Sequence, residues 1–411
     1  MASLVIIDNR LEDAAAIEPG VRPSTIDVAV VGAGPAGALA AHDLATTGAR
    51  VAVFDHSHPR EKPCGGGVTG RALALMPGTC NGSSLPAVDV RTLRFEMAGE
   101  RPTCVELPPA LDAHIAPLLV TSRRAFDALL LRAALAAGAH LIPERVVDIS
   151  VAREYTEIAT RHGRYRAAFV IGADGANSLV RRRVGRAFGR DQLSLASGYY
   201  QEGASASTAV IAFTTEPAGY AWSFPRADHL AIGICAEADT TTPAALRAKL
   251  ETWTSGTQVT PVGTRRRYSW PIPTLGAADL DHERTAGDRW MLLGDAAGLV
   301  DPITREGIYF AMRSGQLAAL ALADGHGPGG TYDARLRDEI HPELRRAARL
   351  RSHFFRPAFL RLLQRALATS PPIRAIVADL VAGRQSYVGL RRRLASTFEI
   401  GLAWRLLRLR A

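Results

Sequence analysis

Short apolar runs near the N-terminus alternate with a helical pattern, and this arrangement predicts a parallel sheet. Ile26–Val31 is a run of β-favouring residues that ends at a glycine, and Val51–Phe54 is a second run of the same kind. Between them, residues 36–47 carry a helical pattern that Gly48 closes. A strand, a helix and a strand this close together form a βαβ unit, which implies parallel strands.

The pattern of buried strands and amphipathic helices returns later in the chain. Residues 122–137 follow the 3.6-residue period of a helix, while 169–172 and 290–293 are short buried-type strands. Residues 306–323 form a long Ala-rich helical pattern. These segments are expected to complete the first fold.

Two other stretches differ from this fold. Residues 191–288 carry Thr, Ser, aromatic residues and short alternating runs, with one helix over 243–253, and predict an inserted antiparallel sheet. After Gly330 the pattern is helical to the end, broken at Pro357 and Pro371.

Composition narrows the class of protein. With 47% apolar and 22% charged residues among 411, the chain can bury a large core and is not a disordered protein. No apolar run approaches the roughly 20 residues of a membrane span, and residues 1–27 lack the pattern of a secretory leader. Four cysteines show no metal-type pairing and are too few for a disulfide scaffold. A cytoplasmic enzyme is therefore expected.

The positive charge is concentrated at the C-terminus. Residues 331–411 contain 17 Arg against six acidic residues, an excess larger than the net charge of +9 for the whole chain. A uniform nucleic-acid-binding surface is not expected. The segment predicts reversible peripheral association with the inner face of a membrane, with a solvated helical cap over the first fold as the alternative. At its end, residues 398–409 place apolar side chains on two stripes with Arg405 and Arg408 between them.

A glycine motif lies where the βαβ unit needs it. Residues 32–37 (GAGPAG) fit G-x-G-x-x-G between the first strand and the helix, and Asp55 ends the next strand. Gly32 permits the tight turn, Gly34 lets the backbone approach a pyrophosphate, and Gly37 packs helix on strand. The helix N-terminus attracts phosphate, and Asp55 can accept hydrogen bonds from ribose hydroxyls. The motif predicts a dinucleotide but leaves NAD and FAD open.

A second match, residues 325–330 (GHGPGG), follows a helix instead of a strand. It predicts a helix end and a flexible loop.

Two later strands each end in an aspartate followed by small residues. Residues 170–178 (VIGADGANS) carry Asp174, and 292–298 (LLGDAAG) carry Asp295. Such a carboxylate can accept hydrogen bonds from ribityl or ribose hydroxyls at the sheet edge. The two pairs in this order resemble the flavoprotein hydroxylase superfamily, and the resemblance implies FAD.

Three longer stretches resemble one group of FAD enzymes, the geranylgeranyl reductase family. They are residues 62–68 (KPCGGGV), 220–225 (YAWSFP) and 294–308 (GDAAGLVDPITREGI). Two positions depart from the family pattern, because Arg305 and Cys235 stand where glycine is usual. Both departures bear on the identity of the substrate.

The resemblance implies a fold, a set of flavin contacts and a substrate pocket. The fold is α/β, with a Rossmann-like FAD-binding domain, an inserted antiparallel β-sheet substrate domain and a C-terminal helical segment. The expected domain bounds are 24–88, 115–190 and 286–330 for the first domain, 89–114 and 191–285 for the second, and 331–411 for the C-terminal segment. Flavin contacts are expected at Ala36, Asp55, Cys64, Gly65, Gly67, Arg123, Val147, Asp295, Gly307 and Ile308, and substrate contacts at Tyr220, Trp222 and Phe224.

Individual roles follow from chemistry. Arg123 opens the helix of 122–137, where its guanidinium can reach a phosphate or the flavin edge; a solvated cation is the alternative. The helix that opens near Gly307 would direct amides at the flavin N1–C2 edge. Cys64 is the candidate catalytic residue, as a proton relay or a group that positions the alkene, and a buried structural cysteine is the alternative. The three aromatic residues on the strand would line a long apolar pocket, although ordinary core packing gives the same pattern.

Three functions are compatible with these features. The first is reduction of C=C bonds in an isoprenoid or other lipophilic substrate, with NADPH or NADH as the expected electron donor. The second is a flavin monooxygenase of a biosynthetic pathway, and the third is a non-catalytic electron carrier that docks at membranes. A halogenase is disfavoured, because no W-x-W-x-I-P segment occurs and the two lysines are Lys62 in the Cys64 loop and Lys249 in a predicted surface helix.

Overall fold

The computed structural model describes residues 26–80, 85–109, 115–203, 206–256 and 263–397. In chain order, the strands of the described residues are β1 Ile26–Val31, β2 Val51–Phe54, β3 Gly67–Thr69, β4 Ala87–Asp89, β5 Thr92–Met97, β6 Thr103–Glu106, β7 Leu118–Thr121, β8 His140–Ile142, β9 Val146–Val151, β10 Thr156–Thr160, β11 Arg164–Gly172, β12 Leu193–Glu202, β13 Thr208–Thr215, β14 Ala218–Pro225, β15 His229–Glu237, β16 Arg265–Pro273, β17 Ala286–Gly287 and β18 Trp290–Leu292. The helices are α1 Pro35–Thr46, α2 Gly70–Leu73, α3 Arg123–Ala136, α4 Leu179–Val184, α5 Pro243–Ser255, α6 Ala277–His282, α7 Ile308–Asp324, α8 Pro328–Glu339, α9 His341–Phe354, α10 Pro357–Thr369, α11 Pro371–Val381 and α12 Leu390–Ala395.

The first sheet is built around the N-terminal strand. Its order is β17-β18-β11-β1-β2-β8, and the pairs from β18 to β8 are all parallel. β9 and β10 extend it as antiparallel strands beside β11. Strands of a parallel sheet are covered on both faces, and β1 is accordingly buried at every position except Asp27. The predicted α/β fold with a parallel sheet is confirmed.

The second sheet has the order β16-β12-β15-β14-β13-β5-β6. It joins strands from two distant parts of the chain, since β5 and β6 precede β12 by about a hundred residues. All of its pairs are antiparallel except β13 with β5, which is parallel. The expectation of a purely antiparallel sheet therefore needs correction at this one pair. The parallel direction is possible because β5 reaches β13 through a long crossover and not through a hairpin. The domain bounds remain a prediction.

A small third sheet has the order β3-β7-β4, and β3 directly follows the Cys64 loop. Lys62 of this loop pairs with Asp295, which follows β18 of the first sheet. Glu61 pairs with Arg226, which follows β14 of the second sheet. The loop therefore lies where the two larger sheets meet.

The C-terminal helices begin at the prolines that break the sequence pattern. Pro357 opens α10 and Pro371 opens α11, which is the helix position that a residue without an N–H tolerates best. α10 packs on β5 and β6 of the second sheet, and α8 packs beside β17 and β18 of the first. The alternative of a solvated cap over the first fold is thus corrected for α10 and α11 only, because they bury apolar faces against the second sheet, whereas Leu336 of α8 and Leu344 of α9 belong to the core of the first fold. The stripes of residues 398–409 lie outside the described residues, so peripheral membrane association stays a prediction.

Two helix starts differ from the sequence pattern. α7 begins at Ile308 instead of residue 306, because the preceding segment turns through a left-handed residue at Arg305. α8 begins at Pro328, so the end of the second glycine motif is helical where a flexible loop was expected. Pro at the first helical position predisposes the chain to this start. Within the described ranges, no helix combines the length and apolarity needed to cross a bilayer.

Candidate functional site

A large cavity lies where the first sheet, the second sheet and the C-terminal helices meet. Its volume is about 1090 Å³. Its walls are the Cys64 loop, the aromatic face of β14, the segment 300–308 and apolar side chains of α10 and α11. Small-molecule pockets commonly enclose about 300–1,000 Å³, so this cavity is slightly larger than that range.

The predicted glycine motif connects β1 to α1 at the edge of the first sheet. Gly32 has a φ of +104°, and a Cβ there would lie 2.4 Å from the carbonyl oxygen of Ala173. A Cβ on Gly37 would lie 1.9 Å from the carbonyl oxygen of Gly32, so the loop and α1 pack as the motif requires. At Gly34, in contrast, the nearest atom would be His58 Nε2 at 4.0 Å. Two glycines are therefore needed for packing, and the third faces open space.

The start of α1 suits a phosphate. Its first turn, described throughout, has no acidic residue, and its N-cap Gly34 offers no side-chain acceptor. The amides and the positive end of the helix dipole are thus left for an anion. Ala36 lies buried in this turn. These residues fit the pyrophosphate of a dinucleotide.

A buried chain of charged groups connects Asp55 to Arg123. The Asp55 carboxylate accepts hydrogen bonds from the Ala33 amide at 2.9 Å and from His58 Nδ1 at 2.7 Å. His58 Nε2 lies 3.2 Å from Asp127, which also binds Arg123 through two contacts of 2.8 Å. The two predicted cofactor residues therefore belong to one network.

Contacts within this network determine the protonation states of Asp55 and His58. Burial opposes ionisation of Asp55, but His58 and the amides of the loop hold its pKa below the ordinary range. Burial lowers the pKa of His58, yet Asp127 and Asp55 outweigh it and raise that pKa above its ordinary value. His58 is consequently stabilised as an imidazolium that donates from both ring nitrogens.

The Cys64 loop is held from two sides. Arg226 donates to the carbonyl oxygen of Cys64 at 2.8 Å and to Glu61 at 2.6 Å, and its side chain is 1% exposed. A Cβ on Gly65 would lie 2.8 Å from the Phe224 ring, so the aromatic strand packs directly against the loop. The Cys64 thiol accepts a hydrogen bond from the Gly66 amide at 3.3 Å and lines the cavity.

Asp295 and the start of α7 form the opposite wall of the cavity. Gly307 is the N-cap of α7, and a Cβ on it would lie 3.4 Å from the Asp295 carboxylate. Burial would raise the pKa of Asp295, but Lys62 at 2.9 Å, together with Arg123, holds it below the ordinary value. The structure thus brings Cys64, Gly65, Gly67, Arg123, Asp295, Gly307 and Ile308 around one cavity.

The predicted residues at the glycine motif and Asp55 lie outside the cavity lining, and two further predicted cofactor residues, Asp174 and Val147, lie outside both the lining and the motif. The Asp174 carboxylate binds the start of α4, where it accepts from the amides of Leu179 at 2.6 Å and Val180 at 3.2 Å. Val147 lies on β9 with 41% of its surface exposed. Neither residue lines the cavity, and flavin contacts by them remain predictions.

The three predicted substrate residues alternate along β14 and all line the cavity. The Tyr220 hydroxyl donates to the carbonyl oxygen of Thr304, which joins the second sheet to the segment before α7. Trp222 packs over Gly233, where a Cβ would lie 2.3 Å from its ring. Cys235 is the cross-strand neighbour of Tyr220.

Some of the residues at the cavity could not be predicted from the sequence. Arg71 pairs with Glu306 at 2.6 Å and with Glu343 at 2.9 Å, joining α2 and the segment before α7 to α9. The pairs span 235 and 272 positions, so no local pattern announces them. The apolar contribution of the C-terminal helices was also missed, although their 3.6-residue periodicity marks a buried face.

Comparisons with known proteins agree with this geometry. The family model described as an FAD binding domain matches residues 25–349. Over 328 residues the chain is 33% identical to menaquinone reductase of Mycobacterium tuberculosis, covering 72% of this chain and 76% of the relative. Over 360 residues it is 30% identical to digeranylgeranylglycerophospholipid reductase of Methanothrix thermoacetophila, covering 80% and 88%.

A solved structure shares the fold. The geranylgeranyl bacteriochlorophyll reductase-like protein of Thermoplasma acidophilum superposes with a TM-score of 0.73, covering 94% of this chain and 99% of the other, at 21% identity.

Proposed function

Because this chain belongs to the FAD binding domain family and, within it, to the geranylgeranyl reductase family of FAD-dependent oxidoreductases, we propose that it reduces C=C bonds of a lipophilic substrate. The substrate class we propose is an isoprenoid or a similar long apolar molecule. The names of two relatives, menaquinone reductase and digeranylgeranylglycerophospholipid reductase, make menaquinone and a digeranylgeranyl phospholipid the first substrates to test.

The observation that supports this proposal most strongly is the make-up of the cavity. One end lies beside Cys64, Asp295 and Gly307, the residues that would hold the flavin ring. The other end runs between α10 and α11, whose contribution is apolar, with Phe359, Leu363, Ile376, Leu380 and Val381 among the lining residues. This lining would suit an apolar chain that lies between α10 and α11 with its reacting end beside the flavin.

The protein residues would contribute binding, charge stabilisation and a proton. When bound, reduced FAD supplies a hydride to one carbon of the double bond. The amides at the start of α7 would stabilise negative charge at the ring edge, an effect of a few kcal/mol in a site from which water is excluded. The Cys64 thiol is the group we propose to deliver the proton to the second carbon. Trp222 and Phe224 would exclude water and hold the chain against the ring.

NADPH or NADH is the electron donor that we propose. The second glycine motif forms the α7–α8 junction, where Gly325 ends one helix and Pro328 opens the next. It therefore provides no second nucleotide site like the one at α1. A nicotinamide donor would have to reach the flavin through the open side of the cavity and leave before the substrate binds.

The test separates reduction from the monooxygenase alternative. Holoenzyme whose flavin has been reduced by light would be mixed anaerobically with menaquinone or digeranylgeranyl phospholipid, and the products would be weighed by mass spectrometry. A gain of two hydrogens per reduced bond, with flavin reoxidation in step, is the expected result. The exposed Lys249→Gln variant serves as the matched control. Product that forms only with oxygen and carries an added oxygen atom would refute the reductase and favour a monooxygenase.

A further inference from the structure

Arg305 has an unusual backbone conformation. Its φ is +59°, and it is the one non-glycine residue with positive φ among those that the structure describes. A residue with a Cβ is strained in this region of φ, whereas glycine is not. Glycine is the usual residue at this position in the geranylgeranyl reductase family. Strain of this kind accumulates at functional sites, where another gain offsets it.

The guanidinium of Arg305 is also unsatisfied. Its Nε and Nη1 atoms are buried and have no hydrogen-bond acceptor among the described residues. No described carboxylate lies within ion-pair distance of it, whereas nearby Arg71 has two such partners. The groups close to its charge are Arg351, which is itself a cation, and two polar neighbours, Tyr220 and Cys235. Burial raises the pKa of both polar neighbours. Both neighbours are therefore neutral near pH 7, and the positive charge of Arg305 is not compensated.

The wall next to Arg305 adds further positive charge. Arg346, Arg349 and His353 are spaced three and four residues apart on α9, and all three line the cavity. Arg346 and Arg349 are exposed, and in the described part of the chain neither forms an ion pair. Among the carboxylates that line this side, Glu306 and Glu343 are bound to Arg71, and the Asp301 carboxylate accepts hydrogen bonds from the amides of Ile303 and Thr304. The cavity thus has an excess of unpaired cations beside its apolar channel.

We propose that Arg305 is a specificity-determining residue that binds an anionic oxygen group, a carboxylate or a phosphate, of the substrate. A guanidinium matches both groups through charge-assisted hydrogen bonds. Arg305 lies two residues before Gly307, so the bound anion would lie near the reacting end of the substrate and the apolar chain would extend between α10 and α11. The inference rests on the proposed function, because it specifies the substrate of that same site.

Binding of simple probes tests this proposal without turnover. The probes are dodecanoate, dodecyl phosphate and dodecanol, which share one chain and differ in the head group. Their dissociation constants would be measured on the oxidised holoenzyme from the change in flavin absorbance. The wild-type protein should prefer one or both acids over the alcohol by about ten-fold to a hundred-fold, the range of a hydrogen bond to a charged group. The two acid arms distinguish carboxylate from phosphate.

Variants assign the preference to this residue. Arg305→Gly and Arg305→Gln should bind the acids and the alcohol about equally, whereas Arg305→Lys should keep part of the preference. Arg186→Gln, which changes an exposed arginine away from the cavity, should behave as wild type. FAD content and the unfolding midpoint of each variant show that it is folded.

Several results would overturn the proposal. They are equal binding of acids and alcohol by the wild type, a preserved preference in Arg305→Gly, or an altered flavin midpoint potential in Arg305→Gln with the preference intact. The last result would assign Arg305 to the flavin instead of the substrate. A failure of the protein to reduce any double bond would count against the proposed function alone, because these probes report binding and not reduction.

Discussion

Replacing Arg305 with glycine should stabilise the protein, although it removes a half-buried side chain. The strain of the left-handed conformation, about 1–2 kcal/mol, is relieved. The two buried nitrogens without acceptors, each costing about 1–3 kcal/mol, are removed as well. Against this, glycine loses about 0.5–1 kcal/mol through the entropy of the unfolded chain. The contact of the guanidinium with the Phe355 ring, at 6.0 Å from its centroid, is worth about 0.5–1 kcal/mol.

Even with the smallest gains and the largest losses, the balance is a gain of about 1 kcal/mol or more in the free energy of unfolding of Arg305→Gly. Urea unfolding of the flavin-free protein, followed by tryptophan fluorescence, measures it as a higher midpoint at unchanged slope. Arg305→Met separates the contributions, because it removes the nitrogens and keeps the strain. The free energy of unfolding of Arg305→Met should be lower than that of Arg305→Gly by about 1 kcal/mol.

A lower midpoint for Arg305→Gly would refute the reasoning, since it would mean that the side chain contributes more through packing than the strain and the unpaired nitrogens cost. Equal midpoints for the Gly and Met variants would refute the part of the argument that rests on strain.

Three further predictions concern the cofactor region. Gly34→Leu should yield colourless protein, because its side chain fills the open space above the loop where the pyrophosphate would lie; full flavin absorbance in that variant would contradict the assignment. Cys64→Ser should bind FAD normally but reduce substrate at least about a hundred-fold more slowly, the scale of a lost general acid, and an unchanged rate would leave the thiol a structural role. His58 has a raised pKa, so its stabilising effect is complete below pH 6.5, its ordinary value, and is lost as pH rises through the higher folded value. Asp55 has a lowered pKa, so its contribution persists above its ordinary value of 3.8 and is lost only as pH falls through the lower folded value. In the flavin-free protein, the free energy of unfolding of His58→Asn should therefore fall less steeply above pH 6.5 than that of the wild type. Parallel pH profiles for the wild type and His58→Asn would count against the network with Asp127.

The sequence was informative where local pattern and chemistry coincide. The βαβ unit and its glycine motif could be predicted because alternation, glycine spacing and Asp55 all lie within 30 residues. The C-terminal helices could be predicted as helices, with breaks at Pro357 and Pro371, but not as a wall of the cavity. Placing them required the tertiary packing of α10 on β5, which no periodicity encodes.

At the site, too, residues within a local motif could be predicted, whereas pairs of residues distant in the sequence could not. The resemblance brought out Cys64, Asp295 and the aromatic strand as members of one site, and the structure places them around one cavity. The pair between Arg226 and Glu61 could not be foreseen, because 165 positions separate the partners and each is an ordinary charged residue in its own context. Departures from the family pattern drew attention to Arg305, but only the backbone torsion reveals that its conformation suits glycine.

The strand order of the second sheet has a consequence for how the chain folds while it is being synthesised. β5 is synthesised early, yet its sheet partner β13 lies over a hundred residues later and its cover, α10, later still. Gln364 of α10 donates hydrogen bonds to the carbonyl oxygens of Phe95 at 3.1 Å and Arg101 at 2.8 Å, which closes this region. On the ribosome, the apolar face around Leu93 and Phe95 must therefore wait for almost the whole polypeptide before it is covered. A nascent chain released before α10 would carry this apolar surface uncovered, so premature termination should yield aggregates or chaperone-bound species rather than a smaller functional flavoprotein.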